Sequence, residues 1–291
     1  MGAGQGGERA RHWRHPGLPD VDLLRARYVT HTFTRHTHNA YTIGLVEAGV
    51  EEWRHRGSIE RAGVGGMPIV NPDTVHTGHA GVPEGWTYRV FYPSVQVVTA
   101  VAAELGMAPG TPYLARPVVD DQTTATLFLR AHRAAEAGDA LAACSLTRVL
   151  LAHLLRRYGS TTANIGAPPR AGATAANQAR DILHAELARP PSLDALAAAV
   201  RATPFALLRA FREQYGLPPH AYLTQLRVYR ARDLLDIGRA PADVAAEVGF
   251  VDQAHLSRHF RRILGVPPGR YQRERRNVQD PSGGLYLPSA G

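Results

Sequence analysis

The sequence predicts an α+β protein of two domains: a small β-barrel or sandwich with a helical pair, then an all-α domain of two helix-turn-helix units. Three observations carry that prediction. Residues 207–222 recur 49 positions later as residues 256–271, with Gly and Pro at the same offsets. Residues from Tyr28 to about Pro93 mix Gly, Thr, Val, Tyr and Trp in short alternating runs, as strands with close turns do. From Asp121 to Tyr158 the apolar spacing becomes helical, and a stretch rich in Gly, Pro, Ala and Thr then separates the two halves.

Residues 1–20 are rich in Gly, Arg and His and lack an apolar core segment. That composition argues for a flexible arm and against a secretory signal. Within residues 21–158, Trp86, Tyr88, Val90 and Tyr92 alternate with their neighbours in strand fashion, as do Glu51, Trp53 and His55. Glycines at positions 44, 49, 57, 63, 65, 66, 78 and 81 supply turns at short intervals. Asp121 and Asp139 are expected to cap two antiparallel helices broken near Gly138. On the second, Leu141, Leu146, Val149, Leu150 and Leu154 form a stripe wider than one barrel face needs. Part of it is expected to pack across a twofold axis, the alternative being packing against its own barrel. Residues 159–176 read as a linker, 177–274 as the helical domain and 275–291 as a tail.

In the repeat, Leu207 and Phe211, like Leu256 and Phe260, share one helix face, while the arginines lie off that stripe. Gly216 and Gly265 stop each helix in a left-handed turn, and the following Pro-Pro pairs forbid its resumption. Short helices precede both copies, one from Ser192 as N-cap and one from Pro241, with Ala197 and Ala245 small enough for close approach. This is the helix-turn-helix plan, spanning about 192–213 and 241–262, whose second helix enters the major groove. Ordinary helical hairpins would not need matched arginines. Between the units, residues 222–235 read as a helix with Arg227, Arg230 and Arg232 exposed, setting the two recognition helices about one duplex turn, ~34 Å, apart.

All 33 basic residues are arginine, against 25 acidic ones, and residues 177–276 hold 16 Arg with 10 Asp or Glu. The positive excess therefore concentrates in the helical domain, as phosphate binding requires. The single cysteine, Cys144, excludes an internal disulfide framework and a cysteine zinc cluster; its apolar surroundings predict a buried small residue. No stretch approaches the ~20 apolar residues of a membrane span, and a reducing cytoplasm is the expected setting.

Residues 177–274 resemble the DNA-binding domain of the AraC/XylS transcriptional regulators. The resemblance rests on Ala245, Val248, Gly249 and Phe250, then Gln253, Leu256, Ser257, Arg258, Phe260 and Arg261, then Gly265, Pro267, Pro268 and Tyr271. It implies that Gln253, His255, Ser257 and Arg258 face bases, with Phe205, Leu208 and Arg209 in the corresponding places of the first unit. Arg258 can then make a bidentate contact to guanine and Gln253 one to adenine. Leu208 can touch only a thymine methyl. Arg212, Arg261 and Arg262 are assigned to phosphates, which position rather than specify. For Arg209 and Arg258 the alternative is a structural salt bridge.

Residues 25–158 resemble the cupin-like sensory domain that precedes this DNA-binding domain in many such regulators. The carrying residues are Arg35–His38, Tyr41–Gly44, Glu47, Gly49, Asn71–Asp73, Val75 and His76. The resemblance implies a cupin-like β-barrel that binds an effector and helices that pair two subunits. His36, His38 and His76, with Glu47, can be read as a metal site. In cupin enzymes, however, the glutamate follows the His-x-His pair more closely. The preferred reading places these histidines at the barrel mouth, hydrogen-bonding an organic effector or one another, with Tyr41, Trp53, Asn71 and Tyr88 as candidates to line the pocket, no metal and no cofactor. Residues 1–158 are expected to hold the ligand and the dimer contact by themselves.

The combined reading is a one-component, non-enzymatic transcription regulator. Its expected partners are double-stranded DNA, a small-molecule effector, RNA polymerase and a second copy of itself. The rival readings are a constitutive regulator whose barrel only dimerises and a cupin-type metal enzyme fused to a DNA-binding domain.

Overall fold

The computed structural model describes residues 7–55, 57–161 and 172–279. The front domain contains strands β1 (Arg9–Arg14), β2 (Val21–Tyr28), β3 (Phe33–His36), β4 (Thr42–Gly49), β5 (Glu51–His55), β6 (Ser58–Ala62), β7 (Met67–Val70), β8 (His76–Ala80) and β9 (Trp86–Pro93). Helix α1 (Val95–Glu104), strands β10 (Pro112–Leu114) and β11 (Val118–Val119), helices α2 (Gln122–Glu136) and α3 (Ala140–Tyr158), and strand β12 (Gly159–Thr161) complete it. One sheet runs β1-β2-β9-β4-β7-β11 and another β3-β8-β5-β6. The two sheets are not closed into a barrel by hydrogen bonds; they form a cupin-like double-sheet jelly roll.

Alternation along the strands gives the larger sheet two covered faces. Leu23, Ile43, Leu45 and Phe91 pack under α1, α2 and α3 with Val98, Phe128, Ala131 and Leu150. Leu24, Tyr88 and Val90 point the other way, toward Trp53 and Phe33 of the smaller sheet. Asp121 and Asp139 cap α2 and α3 through the amides of Thr123 and Ala142, as their positions predict, and Gly138 turns between them at φ +80°.

Three expectations need correction. Within the arm assigned to residues 1–20, Arg9–Arg14 form a strand paired along its whole length with β2, and Trp13 is buried. Ala10 and His12 turn inward while Arg9 and Arg11 turn outward, an alternation hidden by the basic composition. Cys144 is exposed rather than buried, because α3 seats Ala143 and Thr147 on the domain and turns the next position outward. Arg275, assigned to the tail, lies inside a helix. Of the linker, residues 162–171 lie outside the described part, as do residues 280–291 of the tail.

The second domain is all helical: α4 (Ala173–Ala185), α5 (Leu193–Ala199), α6 (Pro204–Tyr215), α7 (Pro219–Asp236), α8 (Pro241–Glu247), α9 (Gln253–Leu264) and α10 (Pro268–Gln279). Pairs α5–α6 and α8–α9 are the two helix-turn-helix units. Ser192, Thr203 and Asp252 cap α5, α6 and α9 with their side chains. Leu207, Phe211, Leu256 and Phe260 are fully buried, and Ala197 and Ala245 are buried in the helical core. No helix among the described residues is long and apolar enough to cross a membrane.

Candidate functional site

The recognition helices α6 and α9 are held by their apolar stripes, which leaves one face of each in solvent. Phe205 is 86% exposed at the start of α6. Arg209, Gln253 and Arg258 are also exposed, whereas Leu208, His255 and Ser257 are half-buried beside them. No described residue forms an ion pair with Arg209, Arg212, Arg258 or Arg262, so the structural salt-bridge alternative for Arg209 and Arg258 has no partner here. Arg261 stands 3.9 Å from Glu8. His255 rests on Phe250 and on His259, with ring centroids 5.2 and 4.9 Å away, and its amide is taken by the Asp252 cap.

The opposite ends of α6 and α9 face the sensory domain. Gly216 and Gly265, equivalent in the repeat, adopt φ +68° and +78°. A Cβ at Gly216 would collide with Val75, and one at Gly265 with the Tyr28 hydroxyl. Only glycine satisfies both the left-handed turn and the close approach. The front domain is therefore seated on the C-terminal turns of both helices, while their N-terminal ends stay exposed.

Helix α7 joins the units and carries much of the contact. Gln225 accepts from the Thr37 amide at 2.9 Å and donates to the Thr37 carbonyl at 3.0 Å. The Tyr229 hydroxyl donates to the same carbonyl. Arg232, expected to be exposed, lies 3.8 Å from Asp22 of β2, and Arg227 donates to the Leu187 and Ala188 carbonyls. Asp22 also meets Arg14 at 2.6 Å and Arg275 of α10 at 2.8 Å, and Arg275 reaches Asp236 at 3.3 Å. Burial works to raise the Asp22 carboxyl, yet Arg275, Arg232 and Arg14 together hold it well below the usual carboxylate range. His12 of β1 donates from Nε2 to the Leu264 carbonyl at 3.0 Å. Its burial, reinforced by Arg275, pushes it down to about 4.

A cavity of about 390 Å³ opens between the sheets, a size suited to a small molecule. Of the residues expected to line it, His36, His38, Trp53, His76 and Tyr88 do. Tyr41 and Asn71 do not. The Tyr41 hydroxyl donates to the Pro112 carbonyl, and Asn71 bridges the amide and carbonyl of Leu114, so both fasten β10. Glu47 also lies elsewhere, paired with Arg89 at 2.7 Å, and Arg89 in turn meets Glu136 at 2.5 Å under α2. The carboxyl that does face the cavity is Glu51. It is buried with no partner for Oε2, and burial raises it to about 8. Arg232, Ile263, Leu264, Tyr271 and Arg275 complete the wall, so the site is not contained in residues 1–158. The strand pattern gave no sign of that closure.

Comparison with known proteins adds three findings. A model of the AraC-like ligand binding domain matches residues 18–155, and a helix-turn-helix domain model matches residues 196–274. The uncharacterized HTH-type transcriptional regulator YbfI of Bacillus subtilis (strain 168) is 25% identical over 237 residues, 81% of this chain and 86% of the relative. The HTH-type transcriptional regulator MtrA of Neisseria gonorrhoeae is 34% identical over 86 residues, but only 28% of each chain. In fold, the crystal structure of ToxT from Vibrio cholerae O395 is similar with a TM-score of 0.53 at 11% identity, covering 92% of this chain and 98% of that one.

Proposed function

The chain belongs to the AraC/XylS family and is a DNA-binding transcription regulator, and from that premise we propose how it reads DNA and what controls it. Helices α6 and α9 enter successive major grooves on one face of the duplex. Arg258 and Gln253 read bases from α9, with His255 and Ser257 beside them, and Arg209 does so from α6 with Phe205 and Leu208 against thymine methyls. Arg212, Arg261 and Arg262 hold phosphates. A small effector occupies the inter-sheet cavity, and because α7, α9 and α10 form part of its wall, occupancy alters the contact on which the two units rest. Two copies pair through α3, where Leu141 is 79% and Val149 50% exposed. The setting is cytoplasmic, with RNA polymerase as the further partner.

The observation that supports this reading is the pair of matched recognition helices, with their arginine-bearing faces in solvent and their C-terminal glycine turns against the front domain. The test is to select binding sites from random duplexes, then titrate Arg258→Ala and Arg262→Ala against selected and scrambled DNA. Arg258→Ala should lose about 1–3 kcal/mol on the selected site and little on scrambled duplex. Arg262→Ala should weaken both alike. Equal losses for Arg258→Ala on the two duplexes would remove its base-reading role.

A further inference from the structure

His36 ends β3, His38 lies two residues on, and His76 opens β8 directly opposite His36. One ring nitrogen from each lies within 4.8 Å of the other two. The hydrogen bonds decide which nitrogens are available. A carbonyl oxygen only accepts, so His36 Nδ1 donates to Thr34 at 2.6 Å and His76 Nδ1 donates to Thr74 at 2.9 Å. The single proton of the Tyr229 hydroxyl goes to the Thr37 carbonyl, so His38 Nδ1, 3.1 Å from that hydroxyl, donates to its oxygen. Each ring therefore carries its proton on Nδ1 and a lone pair on Nε2. All three rings line the cavity.

We propose that His36, His38 and His76 form a three-nitrogen site for a divalent transition-metal ion whose binding is relayed to the DNA-binding domain through Tyr229. The inference rests on reading the cavity as the ligand site, and it replaces the metal-free site that the sequence suggests. Neutral imidazole suits Zn, Co, Ni or Fe, and three nitrogens without an oxygen ligand disfavour Ca and Mg. Anchoring each Nδ1–H on an oxygen fixes the ring and raises the basicity of Nε2, the outer-shell arrangement that metal-binding histidines use. A cation held among the three neutral rings is attracted by the lone pair that each offers. Glu51 adds a carboxyl to the same cavity. A fourth position is left open toward the cavity for water or a donor atom of the effector.

Nitrogens about 2.1 Å from a tetrahedral ion stand roughly 3.4 Å apart, so the ion draws the rings inward. His38 cannot follow without pulling on Tyr229, and Gln225, one helical turn earlier, grips Thr37. The ion thereby acts on α7, the helix that sets the spacing of the two recognition helices.

The test uses untagged full-length protein, stripped with chelator and titrated with Zn²⁺ and Co²⁺ by calorimetry, with Co²⁺ absorption as the spectroscopic readout. One ion per chain is expected, with visible bands of four-coordinate cobalt. His38→Gln and His76→Gln should lose this binding, while His79→Gln and His259→Ala, the latter removing a surface pair on α9, should keep it. Tyr229→Phe retains the ring volume and removes only the acceptor for His38, so it should fold and bind the ion ~10–100-fold more weakly. Circular dichroism checks each fold. Uptake by the parent no greater than by folded His38→Gln overturns the site. Unchanged ion affinity in Tyr229→Phe, or an ion-induced change in DNA affinity that persists there, overturns the relay. Sequence-specific DNA binding by ion-free protein would leave the regulator reading standing if the metal site fails, and its absence with and without ion would sink that reading alone.

Discussion

Lowering the pH from about 7 to about 5 puts a proton on His12 wherever the ring is free to take one. In the docked arrangement it is not free. The ring lies buried between β1, α9 and α10, its Nε2–H is given to the Leu264 carbonyl, and burial with the charge of Arg275 holds its pKa at about 4 against an ordinary 6.5. Asp22 pulls upward, Arg232 adds to Arg275, and the Glu274 carboxylate faces the backbone amide rather than the ring. The sign follows from linkage. The undocked state binds more protons between the two values, so docking is fully favoured above the solvated pKa and is progressively lost as pH falls toward the docked one. One proton integrated between those pKa values from pH 7 to 5 gives about 2 kcal/mol, or a ~20-fold shift toward separation. Hydrogen exchange of the β1 and α10 amides, corrected for intrinsic rate, measures that opening. The parent should lose protection ~20-fold across this range, and His12→Gln, which keeps a donor but does not titrate, should lose almost none. An equal loss in both would place the titration elsewhere and refute the role of His12.

Three other perturbations read different parts of the molecule. A base-by-base substitution scan of a selected site should show larger losses, about 1–3 kcal/mol per mismatch, under α9 than under α6, because α9 offers Gln253, His255, Ser257 and Arg258; larger losses under α6 would reverse the assignment. Leu141→Arg with Val149→Arg should convert a dimer to a monomer by light scattering at micromolar concentration, and a parent that is already monomeric removes the claim. Gly265→Ala meets both a left-handed φ and the Tyr28 hydroxyl, so it should cost at least ~1–2 kcal/mol and raise exchange in α9 and α10; an unchanged melting temperature would show that the contact with the front domain yields freely.

The division of the fold was legible because its signals are local. Caps at Ser192, Asp121 and Asp139, the 49-residue repeat and the Leu–Phe stripes each act within a few residues, and the structure places them where those rules put them. The front sheets were legible as strands, but not their pairing, since β1 meets β2 through a basic segment whose alternation involves only Ala10 and His12. The contact between the domains left a fainter trace. Arg232 reads as exposed and Arg275 as part of a tail, because a guanidinium that will be buried against Asp22 looks in sequence like any other. Tyr229 fits the apolar period of α7 and so looks like any core residue, and Gln225 carries no motif. What betrays the contact is chemical: a glutamine among apolar positions, 188 residues from Thr37, must find hydrogen-bond partners when buried, and it finds them on Thr37, the residue between His36 and His38. The helical domain and His38 are thus held by the same few bonds, and a ligand that moves His38 must either move α7 or break them.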